Sequence, residues 1–389
     1  METERLQLLD EAPGQYKNLT AIDGPPGTGK TTAILATARE SKGSVAVITY
    51  TNAAADVVKD RLDGLSIAAG TIYKLSWNPI KTFTNTKQGR GPKSSGPWLK
   101  RKIKDSWDTA LTQYRETAPS LMPPSQTMEA ARMLHAWEAG EIPIDLSSLP
   151  TKGAIKYPLA LAKWLEMGAP AQEEDLFDLI LIDEAQDMSS LELRATLALL
   201  AKGGQAIAYM DPGQAIFSYA KGIEDNSLAP AWAKAGKRYR MVGGFRVGNP
   251  VASLASKVLK PFFDRPAESF ASGETEVNTW EPDEGAPNKG LVLGYSRAHV
   301  ANWLENWDLE NRGVVPGQGN PDKELVLSTI HSAKGAEADD VYLLPWSKAA
   351  LYRLESFDPR ELRTSYVALT RPKNTLNLPW NIQSRIEYF

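Results

Sequence analysis

The sequence predicts an α/β fold of parallel sheets flanked by helices, with a mainly helical insertion in its first part. Three observations carry this. The glycine-rich stretch Gly24-Pro25-Pro26-Gly27-Thr28-Gly29-Lys30-Thr31 lies between the apolar run Leu19 to Ile22 and the helix-favouring run Ala33 to Arg39. Two further apolar runs, Leu179 to Ile182 and Ala206 to Met210, end in Asp183-Glu184 and in Asp211-Pro212-Gly213-Gln214. Such runs alternate with helical stretches in both halves of the chain, the pattern of open sheets whose ligands sit at the strand carboxyl ends.

In chain order, Val45 to Tyr50 reads as a buried strand and 51–62 as a helix opening on Thr51-Asn52, with a further strand at 69–73. Prolines then recur at 79, 92, 97, 119, 123, 124, 143, 150, 158 and 170, and strand alternation disappears. Helices are expected there at 99–116, 126–139 and 157–167. The strand at 179–182, a helix at 189–202 and the strand at 206–210 resume the sheet pattern. A second unit follows: helices at 249–260, 298–307 and 360–369, and strands at 291–295, 325–330, 341–344 and 375–379. The expected division is a first α/β domain from 1–75 and 171–238, an inserted helical and basic subdomain at 76–170, and a second α/β domain at 239–389.

The 389 residues carry a net charge of −3, so any nucleic-acid contact must come from local patches and not from a global basic field. The absence of cysteine excludes disulfides and thiol catalysis, and three histidines make a histidine-rich metal site a poor expectation. The N-terminus Met1-Glu2-Thr3-Glu4-Arg5 has no apolar core behind it, and no apolar run reaches membrane-span length. The expectation is a cytoplasmic protein with no membrane partner.

The glycine-rich stretch fits G-x-x-x-x-G-K-[ST] in the strand-to-helix context that this motif needs. Its backbone N–H groups curl round phosphate oxygens and the helix N-terminus adds a favourable dipole. Lys30 is expected on the β- and γ-phosphates and Thr31 on Mg²⁺, which makes ATP or GTP the ligand. Asp183 and Glu184, after four apolar residues, suit a metal-holding carboxylate and a base that polarises water.

With these elements in place, most of residues 20–380 resembles a superfamily 1 helicase of the UvrD/Rep type. Thr49 to Ala55 looks like motif Ia, Gly70 to Tyr73 like the motif after it, and Asp211 to Phe217 like motif III. Phe245-Arg246 resembles motif IV, Ser328 to Glu337 motif V, and Tyr366 to Arg371 motif VI. The resemblance implies two RecA-like domains with ATP and Mg²⁺ between them. It implies that Gly24, Pro25, Pro26, Gly27, Thr28, Gly29, Lys30, Thr31 and Thr32 hold the nucleotide, with Thr31 and Asp183 on the metal. Gln214 is implied as the γ-phosphate sensor, Arg246 and Arg371 as arginine fingers, Phe245 on the adenine and Glu337 on the ribose. Nucleic-acid contacts are implied at Tyr50, Thr51, Asn52, Thr71, Tyr73, Phe217, Tyr219, His331 and Ser332.

Departures accompany the resemblance. Thr32 stands where relatives often carry arginine, Ala220 replaces a basic residue, and the adenine-reading glutamine is open between Gln7 and Gln15. Only a short loop near 309–322 occupies the place of the large insertion that relatives carry before motif V, so a compact form is expected. Within 81–105, eight basic residues stand against Asp105 alone, with Phe83 and Trp98 interleaved. This reads either as a phosphate footprint or as a solvated charge run. The activity implied is ATP-driven translocation on single-stranded DNA and unwinding at single-strand/duplex junctions, with a lean to 3′–5′. The alternatives are a single-strand translocase, an RNA helicase, or a nucleotide-gated binding switch. Protein partners are unknown from sequence.

Overall fold

The computed structural model describes residues 6–10, 14–50, 52–84, 87–88, 154–155, 157–216, 229–309, 311 and 314–388. Two parallel sheets organise them. The strands are β1 (Leu6–Asp10), β2 (Tyr16–Asp23), β3 (Val45–Ile48), β4 (Ile67–Gly70), β5 (Lys87–Gln88), β6 (Ala154–Ile155), β7 (Phe177–Ile182), β8 (Leu200–Met210), β9 (Ala235–Met241), β10 (Glu276–Thr279), β11 (Gly290–Gly294), β12 (Leu325–Thr329), β13 (Ala338–Leu343) and β14 (Pro372–Leu378). The first sheet has the order β1-β9-β2-β8-β7-β3-β4 and the second β10-β14-β13-β11-β12. Every pairing in both is parallel except that of β1 with β9 at one edge.

Continuous apolar strands follow from helices covering both sheet faces. The pleat sends alternate residues to opposite sides. Ala46, Ile48, Ile180 and Ile182 join one core with Leu161, Trp164 and Leu193, while Val45, Val47 and Leu181 join another with Ile34 and Leu35 of the helix Lys30–Glu40. In the second sheet all five residues of β11 are buried. Val292 and Leu327 face the helix Arg297–Asn306, and Leu291, Leu293 and Val341 face the helices Asn249–Leu259 and Pro359–Leu369.

Several elements depart from the sequence expectation. The strand expected at 69–73 ends at Gly70, and Thr71 caps the short helix Ile72–Leu75. The helix expected at 189–202 stops at Leu197, and Leu200 to Lys202 are already in β8. Within β8, Gly203 has φ +85°, and the pairing of β8 with β7 shifts register between Phe177 and Leu179. The other end of that helix is set locally, by Ser189 and Glu192 in a reciprocal capping box, an arrangement of about 1 kcal/mol. Strand β9, Ala-Gly-Lys-Arg-Tyr-Arg-Met, was not legible because its residues are basic. Its arginines are satisfied inside the sheet region, Arg238 on the Trp232 carbonyl and Arg240 on Asp23.

The division expected at 238/239 falls inside β9, which pairs with β2 and so belongs to the first sheet. The described ends of the region expected as an insertion at 76–170 are the helices Trp77–Thr84 and Tyr157–Glu166. Ile80, Leu161 and Trp164 place both in the first core. The expected helices 99–116 and 126–139, and nearly all of the basic stretch 81–105, lie outside the described residues.

The two lobes meet where the turn Pro212–Gln214 abuts the helix Pro359–Leu369. A Cβ on Gly213 would lie 2.7 Å from Leu259 Cδ1 and 2.8 Å from Tyr366 Cε1. Gly213→Ala is therefore expected to force the lobes apart, lowering the unfolding free energy by about 1–3 kcal/mol in a denaturant titration.

Candidate nucleotide site in the interlobe cleft

The glycine loop joins β2 to the helix Lys30–Glu40 and is pinned to the sheet: Gly24 N donates to Met210 O at 2.7 Å. Thr28 turns inward, its hydroxyl donating to Pro25 O at 2.8 Å. Gly27 and Gly29 have φ of +73° and +89°, left-handed conformations that cost glycine nothing. Gly29 also caps the helix without a side chain. Lys30 folds back, donating to Gly24 O at 2.6 Å. Of the residues expected on the nucleotide, Pro26, Gly27, Gly29, Lys30, Thr31 and Thr32 line the cleft. Gly24, Pro25 and Thr28 are buried and shape the loop from behind.

Asp183 and Glu184 follow β7 directly. Asp183 N donates to Ile48 O at 2.8 Å, and Asp183 Oδ1 accepts from Glu184 N at 3.0 Å. Glu184 has φ +54°, a left-handed conformation unfavourable for any residue with a Cβ, and its side chain lines the cleft. Gln186 holds it there. The amide Nε2 donates to Glu184 Oε2 at 2.5 Å while Oε1 accepts from Asp211 N at 3.1 Å. Burial and the neighbouring Glu184 charge push Asp183 up to about 6, against the pull of Lys30 and a hydrogen bond from Thr31. Burial opposes ionisation of Glu184 as well, but Lys334 and Lys30 outweigh it and hold the carboxyl below its ordinary value.

The second lobe supplies the opposite wall. Phe245 N donates to Gly27 O at 2.9 Å, and a Cβ on Gly27 would lie 2.7 Å from Arg246 Cβ. Only glycine at 27 lets this segment approach so closely. Phe245 leaves its ring 68% exposed over the loop. Arg246 pairs with Glu337. Arg371 is buried and donates to Gln214 Oε1 at 3.2 Å, to Val367 O at 2.9 Å and to Ala336 O at 3.3 Å. Burial, then the Arg246 charge, pull its guanidinium down to about 10, so it stays protonated at neutral pH.

The walls enclose about 1370 Å³. A triphosphate placed on the loop would meet Lys30 and the helix N-terminus on one side and two guanidinium groups on the other. The donor set also fits Mg²⁺. With a nucleotide, Mg²⁺ takes one or two protein oxygens and completes its shell with phosphate and water. Thr31 and Asp183 line the cleft together at the loop. Among the described residues no group of three or more His, Cys, Asp or Glu side chains could hold a metal by itself.

A family model described as "AAA domain" matches residues 13–220, more than half of the chain, and one described as "UvrD-like helicase C-terminal domain" matches 294–383. The chain belongs to the UvrD-like superfamily 1 helicases. No curated protein matches it in sequence. Among solved structures, the arterivirus nonstructural protein 10 helicase with DNA is similar at 14% identity and a TM-score of 0.42, over 95% of this chain and 63% of that one. The helicase of PRRSV is similar at 14% identity and a TM-score of 0.44, over 94% of this chain and 52% of that one.

In this UvrD-like chain the residues expected on nucleic acid are dispersed. Tyr50, His331 and Ser332 line the nucleotide cleft, with His331 pushed down by burial and by Lys334. Thr71 and Tyr73 line an adjoining cavity of about 280 Å³ with Tyr50, Asp183 and Glu184. The Tyr73 hydroxyl is engaged by Glu192 at 2.9 Å and its ring packs on the first core, so it is not a free stacking platform. Asn52 is exposed at the start of its helix. Thr51, Phe217 and Tyr219 lie outside the described residues. Neither Gln7 nor Gln15 lines the cleft.

Sequence reasoning missed Lys334 and Asp187. Lys334 crosses the cleft to pair with Asp187, donates to Gln214 O at 2.7 Å and lies 3.6 Å from Glu184. Lys334 sits inside the stretch Ser328 to Glu337 and Asp187 three residues after Glu184, but only the fold brings Lys334 within reach of the residues that follow β7. Removing one partner of a buried pair leaves a charge without compensation. Lys334→Ala is expected to lower the unfolding free energy by about 3–5 kcal/mol, and much less in an Asp187→Asn background. Denaturant melts of the two single variants and the double variant measure this coupling.

Proposed function

We propose that the chain is an ATP-driven motor that moves along single-stranded DNA and unwinds duplex at a junction in the 3′–5′ direction. One observation carries the reading: a single cleft has the glycine loop, Asp183 and Glu184 on one wall and Phe245, Arg246, Glu337 and Arg371 on the other. A nucleotide there touches both lobes, so binding and hydrolysis change how the lobes sit, and any strand held by both is moved.

In this mechanism Lys30 leaves Gly24 O for the β- and γ-phosphates. Thr31 and Asp183 would hold Mg²⁺, which when bound would neutralise charge on the phosphate oxygens. Glu184, kept ionised by Lys334 and Lys30, accepts a proton from the attacking water. Arg246 moves from Glu337 to the γ-phosphate, which frees Glu337 for the ribose. Arg371, already on Gln214, stabilises charge on the transferring phosphoryl group. Gln214 reports loss of that group to Lys334 and the second lobe through its backbone carbonyl. Phe245 stacks on the base. Tyr50, Asn52, Thr71, His331 and Ser332 are the proposed strand contacts among the described residues.

Lys30→Ala and Glu184→Gln are each expected to cut ATP hydrolysis at least ~100-fold, measured with and without single-stranded DNA. A Glu184→Gln variant turning over at the wild-type rate would exclude it as the base. Phe245→Ala is expected to raise KM for ATP with kcat nearly unchanged, since stacking is equal in ground and transition states. Strand displacement with 3′- and 5′-tailed DNA and RNA duplexes tests substrate and direction: unwinding of 3′-tailed DNA supports the reading. Selective unwinding of RNA or of 5′-tailed duplexes reassigns it. Hydrolysis that no nucleic acid stimulates points to a switch.

A further inference from the structure

Behind the cleft, and outside the roles assigned above, lies a buried charge cluster shared by the two lobes. Arg265 follows the helix Asn249–Leu259 and is fully buried. Its guanidinium donates to Asp211 Oδ1 at 2.8 Å, to Asp23 and to the Tyr366 hydroxyl. The Tyr366 hydroxyl in turn donates to Asp211 Oδ2 at 3.3 Å. Arg240 donates to Asp23 Oδ2 at 2.9 Å and neutralises the second carboxylate. The Arg265 guanidinium stands 5.2 Å from the Phe263 ring centroid and 5.5 Å from that of Tyr366. Two carboxylates and two guanidinium groups thus balance in a closed site.

The position of the cluster matters more than its charge. Asp23 is the residue before Gly24, the first residue of the phosphate loop. Asp211 begins the turn that carries Gln214: its Oδ1 accepts from Gly213 N at 3.0 Å and its Oδ2 from Gln214 Nε2 at 2.7 Å. Gln214 Oε1 then accepts from Arg371 at 3.2 Å. Tyr366 and Arg371 lie at the end of the helix Pro359–Leu369 and just after it. A continuous hydrogen-bonded chain therefore runs from Asp23 through Arg265, Asp211 and Gln214 to Arg371.

We propose that Arg265 is a positioning residue for nucleotide hydrolysis, setting the orientation of Gln214 and Arg371 relative to the phosphate loop through Asp211 and Asp23. The role rests on the motor reading above. A guanidinium suits it because its planar fork reaches two carboxylates and a hydroxyl at fixed angles. A lysine keeps the charge but presents one ammonium point, so it cannot hold both aspartates in the same geometry. Displacements of the order of 1 Å in such a frame lower rate up to ~100-fold without removing any reacting group.

The test is ATP hydrolysis by Arg265→Lys, Tyr366→Phe and Gln214→Ala, singly and with Gln214→Ala combined with each of the others, at a temperature below every variant's Tm. Arg265→Lys is expected to lower kcat about 10- to 100-fold while KM for ATP changes less than about threefold. In the Gln214→Ala background that loss shrinks at least about threefold, because Arg265 acts through Gln214. An equal loss in both backgrounds overturns the proposal, as does an unchanged kcat accompanied only by a lower Tm. If Arg265→Lys does not fold, Tyr366→Phe, which removes one hydroxyl from the cluster and keeps the ring, is read in its place: a kcat loss that shrinks in the Gln214→Ala background supports the role, and an unchanged kcat overturns it. Absence of hydrolysis by the wild-type chain, with and without nucleic acid, overturns the motor reading itself and this role with it.

Discussion

Everything at the cleft depends on closing two lobes over buried charge. Asp23 and Asp211 end neighbouring strands of the first sheet at its ligand side, where carboxylates unpaired in a protein interior would be strongly unfavourable. Arg265 from the second lobe removes that penalty for both at once. The lobes are held together at the point where the nucleotide wall changes from one to the other. Burial disfavours the charge on Arg265, but Asp211, Asp23 and Tyr366 outweigh it and leave the guanidinium more strongly protonated than usual. Asp211 is correspondingly held below the ordinary carboxylate range despite its burial.

A second set of cross-lobe contacts differs in character. Lys334 reaches Asp187 and Glu184 across the cleft, and beside it Arg246 pairs with Glu337 on its own wall; all of these residues line the cleft. Glu184 and Glu337 remain more than a third exposed. The pairs that leave a carboxylate partly exposed, Lys334 with Glu184 and Arg246 with Glu337, are more easily exchanged for a phosphate than the fully enclosed Arg265 cluster. The interface therefore combines a fully enclosed charge cluster behind the site with partly exposed pairs inside it. That is the physical requirement for a cleft that closes on a ligand and reopens without the lobes separating.

Strain and close approach concentrate at the same place. Gly27 admits the Phe245-Arg246 segment against the phosphate loop, Gly213 admits Tyr366 and Leu259, and Glu184 adopts a left-handed backbone conformation between β7 and its carboxylate contacts. Each of these is local in the chain, yet the reason for each lies on the other lobe or on a neighbouring strand.

The sequence by itself determined the fold class, the glycine loop, the paired carboxylates and the order of the motifs. These are short-range signals: apolar runs of buried-strand type, a four-position loop pattern, and acidic residues directly after a strand. It also placed Gln214, Arg246, Glu337 and Arg371 as one group through resemblance. It did not show β9, whose basic residues contradict the usual strand pattern and find partners such as the Trp232 carbonyl and Asp23 only once folded. Nor did it show that Leu200 to Lys202 extend β8, since the pairing of Leu200 with Phe177 across a register shift decides that. Arg265, in an ordinary Asp-Arg-Pro loop, carries no local signal at all. Its partners lie 242 and 54 residues away, and only the tertiary structure brings them together. Local chemistry is written in consecutive residues, whereas the geometry of a cleft between two lobes is set by pairs that the chain alone does not place side by side.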